Sequence, residues 1–119
     1  MNSKSFTDLI VWQKSHQFVL DVYKLTQNFP REELFGLTSQ FRRAAISIPA
    51  NIAEGYRKRG KSDKVRFFNI SEGSLEECKY YLILCRDLNY SNNDELLNKA
   101  EEIGKLLYAY CKAIINSKS

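Results

Sequence analysis

Residues 36–66, GLTSQFRRAAISIPANIAEGYRKRGKSDKVR, carry an apolar helical stripe, a proline inside that stripe and a dense basic segment. Leu37, Phe41, Ala44, Ala45, Ile48 and Ile52 recur at steps of three and four, the spacing that lines one face of an α-helix. With Leu34 ahead of them, they predict a helix from about Glu32 to Arg57. Pro49 lies within it. Its ring removes a backbone donor and crowds the Ala45 carbonyl, which predicts a kink with continuation, because the apolar spacing resumes through Ile52, Ala53 and Tyr56. A break into two helices is the alternative.

Charge is unevenly spread along the same stretch. Arg42, Arg43, Arg57, Lys58, Arg59, Lys61, Lys64 and Arg66 face only Glu54 and Asp63, a local balance of +6 in a chain whose total is +4. The remainder is therefore slightly acidic, so the basic residues form one region on a near-neutral body. Such a region suits a polyanionic partner, RNA or DNA, with a solvated loop as the plainer reading. A second line, Gln40, Arg43, Ser47, Asn51 and Glu54, is continuously polar. It reads either as a solvated face or as a hydrogen-bonded seam between subunits or around a ligand.

Working outward, the segment before it, from about Thr7 to Asn28, places Trp12, Phe18, Val19, Val22, Leu25 and Phe29 opposite Gln13, Lys14, Gln17, Asp21 and Lys24. Pro30 ends that helix and opens the next. After it, Gly60, Lys61 and Ser62 form a turn with Ser62 as N-cap, and Gly55 and Gly60 end a helix and shape that turn. The third helix carries Phe68, Ser71, Leu75, Cys78, Leu82 and Cys85 inward. Gly73 within it suggests a close helix approach. A start resembling a capping box at Ser91 to Asp94 precedes the last helix, whose Leu97, Ala100, Gly104, Leu107, Cys111 and Ile114 share one face. No sustained strand alternation occurs. The fold expected is all-α, an up-down-up-down antiparallel four-helix bundle forming a single domain over residues 1–119. Its many tyrosines, with Ile46 and Ile83 pointing outward, exceed what one small core needs and suggest an interface.

The chain has 119 residues, 44% of them hydrophobic and 27% charged, with two prolines, the composition of a soluble globular domain. Its longest apolar runs fall well short of the ~18 residues of a membrane span, and the N-terminal one is too short for a signal peptide, so a cytoplasmic protein is expected. Cys78, Cys85 and Cys111 with His16 show no CxxC or paired-histidine spacing, and Cys78 and Cys85 lie ~10 Å apart on one helix face, beyond disulfide reach. Buried cysteine is the preferred reading over a Cys3His metal site. No nucleophile, base and orienting group are identifiable together, so no catalytic residue, cofactor or metal is assigned.

The blocks FTDLIVWQKS (6–15), VYKLTQNFP (22–30), LFGLTSQFRRAAISIPANIAEGYRKR (34–59) and FFNISEGSLEE (67–77) resemble the bacterial proteins encoded in intervening sequences of 23S ribosomal RNA genes. The resemblance implies a four-helix bundle assembled as a homopentamer. A related branch, the accessory proteins of diversity-generating retroelements, binds nucleic acid and a reverse transcriptase. Arg42, Arg43 and Arg57 to Arg59 match the family's basic positions, whereas Lys61 and Lys64 rest on charge alone. Two functions follow as expectations. One is RNA binding by an oligomer that repeats its basic surface, with Tyr56 available to stack on bases. The other is a non-enzymatic adaptor that binds a protein partner.

Overall fold

The computed structural model describes residues 3–117 and places four helices along them: α1 (Ile10–Thr26), α2 (Leu37–Arg57), α3 (Lys61–Asp87) and α4 (Asp94–Ile115). Short 3₁₀ turns at Phe6–Asp8 and Arg31–Glu33 precede α1 and α2. Each helix packs on the next and α4 closes back on α1. Cross-helix bonds fix the directions. Gln40 meets Tyr81 and Ser47 meets Ser74 between α2 and α3, while Glu72 meets Cys111 and Lys79 meets Glu101 between α3 and α4. Lys14 with Glu102 and Asp21 with Lys99 tie α1 to α4. Rising numbers on one helix meet falling numbers on its neighbour, so the bundle is antiparallel throughout.

Phe18, Phe41, Phe68, Ile48, Ile52, Leu75, Ile103 and Leu107 are fully buried, one inward stripe per helix. Each contributes about 1.5–3 kcal/mol of burial, enough to override the weaker propensities of residues such as Ile48 and Pro49. Ser15 and Ser71, two of the buried polar side chains, share this interior at little cost because their donors are satisfied. Ser15 Oγ donates to Val11 O at 2.7 Å, and Ser71 Oγ reaches across to Ile48 O at 2.9 Å.

The helix ends differ from the sequence expectation in instructive ways. Ser5 and Asp8 form a capping box on the first 3₁₀ turn and Leu9 is extended, so α1 starts at Ile10 rather than Thr7. The second helix starts at Leu37, not Glu32, because Arg31–Glu33 closes a single 3₁₀ turn and Gly36 adopts φ −114° and ψ −110°, outside helical space. Leu34, expected in the core, is consequently exposed, and Phe35 is 92% exposed. Glu33 compensates at the junction. Its carboxylate accepts from Leu37 N at 3.3 Å and from Tyr90 OH at 2.9 Å, placing negative charge at the positive end of α2.

Through Pro49, α2 is continuous from Leu37 to Arg57, which excludes the break into two helices. Ser62 lies inside α3, whose N-cap is Gly60, and the last helix is capped by Asn93, whose side chain accepts from Leu96 N at 2.9 Å, rather than by Ser91. The glycine roles are exchanged as well. A Cβ on Gly73 would meet nothing within 4 Å, whereas one on Gly55 would lie 3.1 Å from both Phe67 Cβ and Phe68 Cε1. The close approach of α2 to α3 is therefore at Gly55, a buried position still within α2.

Candidate nucleic-acid interface

The turn from α2 to α3 concentrates cations at one end of the bundle. Arg57 is the last residue of α2, Lys58, Arg59 and Gly60 make the connection, and Lys61 opens α3. Arg57 and Arg59 are exposed and Lys58 half-buried. Among the described residues none of the three forms an ion pair, in contrast to Lys14, Lys79, Arg86 and Lys99 on the rest of the surface. Among the described residues at this end, Arg66 has a carboxylate, that of Asp63 at 3.7 Å, while Glu54, one turn before Lys58, is exposed and makes no ion pair.

Two of the lysines also serve the fold. Lys64 Nζ donates to Tyr56 O at 2.8 Å and Gly55 O at 3.3 Å, and Lys61 Nζ donates to Ser117 O. Both therefore supply protons to carbonyls left over at helix C-termini, α2 for Lys64 and α4 for Lys61. Partial burial lowers the Lys64 pKa below the usual lysine value. Aromatic rings lie beneath the cluster. Lys58 Nζ is 5.0 Å and Arg66 Cζ 4.7 Å from the Phe67 ring centroid, and Lys64 Nζ is 5.7 Å from that of Tyr56. The Tyr56 hydroxyl shares a 2.8 Å hydrogen bond with Ser3 Oγ, so residues 3 and 117 both lie at this end.

Arg42 and Arg43 are not part of the cluster. Fifteen helical residues separate Arg42 from Arg57, ~22 Å along the axis, which puts the pair near the opposite end of α2. There Arg42 Nε donates to Thr26 Oγ1 at 2.8 Å and its guanidinium sits 4.6 Å from the Tyr23 ring centroid, stitching α2 to α1. Arg43 is exposed and has no ion pair among the described residues. The eight candidate cations thus divide into an end cluster of six and a distant pair.

The polar line on α2 is in part a seam within the chain. Asn51 Nδ2 donates to Ser47 O at 2.8 Å and Ser47 Oγ at 2.9 Å, and Ser74 Oγ of α3 completes the chain to Ser47 Oγ at 2.8 Å. Tyr81 OH donates to Glu77 at 2.7 Å and lies 3.2 Å from the Gln40 side-chain amide. Arg43 and Glu54 stay outside this network, exposed to water.

The groups with nucleophilic or ligating chemistry lie elsewhere and apart. Burial pushes the Cys78 thiol up to about 12, with the Glu77 charge adding to it, and burial likewise raises Cys85 and Cys111 to about 11. All three are free thiols. His16 is exposed and stacks on Trp12, centroids 5.1 Å apart and planes 7° from parallel. No group of three His, Cys, Asp or Glu side chains among the described residues could hold a metal ion, and no helix of the structure is long and apolar enough to cross a membrane.

What the sequence did not disclose here is the partners rather than the cations: Thr26 for Arg42, Phe67 for Lys58 and Arg66, Ser117 for Lys61. Phe35 was missed as a surface feature because LFGL fits the helical stripe, and only the non-helical Gly36 turns it outward.

Fold and geometry together define a four-helix bundle with a cationic end. Residues 7–109 match the family of 23S rRNA-intervening sequence proteins, and the chain belongs to that family. Among solved structures it resembles a protein of unknown function from the S23 ribosomal protein family of Bacteroides thetaiotaomicron, with a TM-score of 0.77 and 28% identity, over 87% of this chain and 99% of that one. No curated protein matches.

Proposed function

We propose that this protein is a non-enzymatic, oligomeric nucleic-acid-binding protein of the cytoplasm that uses its basic end, repeated around a homopentamer, to hold RNA. The observation that carries this reading is the turn Arg57–Lys58–Arg59, three cations adjacent in the chain with no ion pair among the described residues. Such a cluster keeps its full field for a polyanion. Family membership supports RNA as the first ligand to try. Repetition strengthens the argument, since five copies of the end cluster, six cations against Glu54 and Asp63 in each, would present about 20 net positive charges to one polyanion.

The test is a salt series with RNA for the parent and an Arg57→Ala, Lys58→Ala, Arg59→Ala variant, with solution mass measured for both. The parent's affinity should fall steeply with salt, and the variant should bind at least about tenfold more weakly at low salt with a shallower slope. Equal, salt-insensitive binding by both removes the basic end from the mechanism.

The second reading is an adaptor for a protein partner, and Phe35 favours it. This ring is 92% exposed beside exposed Leu34, the kind of aromatic anchor found at the centre of protein interfaces. Partners retained in a pull-down after nuclease treatment, and lost in Phe35→Ser, favour the adaptor. Partners released by nuclease favour the first reading.

A further inference from the structure

We infer that the basic end grips the phosphodiester backbone of a nucleic-acid duplex from outside and takes no part in stacking on bases. This deepens the proposed function and rests on it. Two aromatic rings nearest the cations are already in use. Phe67 lies under Lys58 at 5.0 Å and Arg66 at 4.7 Å, and Tyr56 lies under Lys64 at 5.7 Å with its hydroxyl held by Ser3. Both rings are half-buried. A base could stack on Phe67 only by displacing the cations that supply the attraction, exchanging a phosphate contact for a ring contact. Single-strand binders do the opposite, leaving their aromatic faces open beside the charge.

Shape supports the same conclusion. The bundle measures 49 × 23 × 21 Å, and at the basic end three residues, Lys58 to Gly60, bridge α2 to α3. The bundle is thus about twice as wide as a ~12 Å major groove, and among the described residues the α2–α3 connection is too short to form a ribbon that would enter it. Base edges are out of reach, and the accessible groups are phosphates. Arg57, Lys58, Arg59 and Lys61 fall within five consecutive residues, a compact cluster that gains most from a partner of high charge density. A duplex, with one charge per ~1.7 Å of axis, exceeds a single strand in that respect.

Four labelled ligands of about 20 nucleotides or base pairs decide the matter by fluorescence anisotropy at low and high salt with the full chain. They are a mixed-sequence RNA strand, a strand of equal length lacking bases, duplex RNA and duplex DNA. The expected result is that the baseless strand binds within about twofold of the normal strand, while both duplexes bind at least about fivefold more tightly than either. Binding of the normal strand about tenfold tighter than the baseless one, or preference for it over both duplexes, overturns the inference yet leaves the basic end as the site if the triple-alanine variant is still impaired. Absence of binding to all four overturns both statements together.

Discussion

At Gly55 an added methyl would lie 3.1 Å from Phe67 Cβ and Phe68 Cε1, two atoms of a packed helix face that have little freedom to retreat. Gly55→Ala should therefore destabilise the bundle by about 1–3 kcal/mol, the usual cost of overpacking. Gly73→Ala should do the reverse. With nothing within 4 Å of its Cβ, the substitution adds helix propensity without a clash and should stabilise by up to about 1 kcal/mol. Urea midpoints of the two variants against the parent check both signs, and a shift in the same direction for both would refute the packing argument. Sequence alone assigns these glycines the wrong way round. Both sit within helical periodicity, and one-dimensional spacing carries no information on how near the neighbouring helix passes.

Among the elements, the helix interiors and the end of α2 at Arg57 were legible, and the helix starts were not. The inward stripes of α2 and α3 emerge from three- and four-residue spacing because burial of residues such as Phe41, Ile48 and Leu75 dominates the energetics. Ends are decided by competing polar groups of similar strength. Ser91 and Asn93 are both good caps, and the structure uses Asn93, whose side chain bonds Leu96 N. Asn93→Ala should cost about 1 kcal/mol in thermal or urea unfolding, with Ser91→Ala near neutral. Comparable losses at both positions would argue against this cap. The stop of α3 went unread for a related reason. Asn89 adopts φ 62°, and its N–H bonds Arg86 O at 3.0 Å while Tyr90 N bonds Cys85 O at 2.9 Å, the paired bonds of a Schellman end. Asparagine tolerates that conformation, but it is less distinctive a signal than glycine.

For the whole molecule, the basic window read as one site because sequence distance hides axial distance. A helix advances ~1.5 Å per residue, so Arg42 and Arg57 in one window occupy different ends of one rod. Arg57 to Arg66 come together in space because a short turn folds them back on one another. A second molecular property follows from burial. Cys78 and Tyr81 are held at about 12, and Cys85 and Cys111 at about 11, so each keeps its proton more firmly folded than unfolded. Stability from these groups is complete below the unfolded thiol value near 8.5 and is lost as pH rises through the folded values. The urea midpoint should thus fall between about pH 9 and pH 11, and Cys78→Ala should show a shallower decline. A midpoint flat across that range would contradict the burial of the thiols.

The hydrogen bonds of Ser3 with Tyr56 and of Lys61 with Ser117 bring residues 3 and 117 beside the cationic turn. A purification tag or fused domain joined close to either residue would start near that turn. An acidic tag would act as a tethered competitor for the ligand, and a dye attached at residue 3 or 117 would sense its arrival directly.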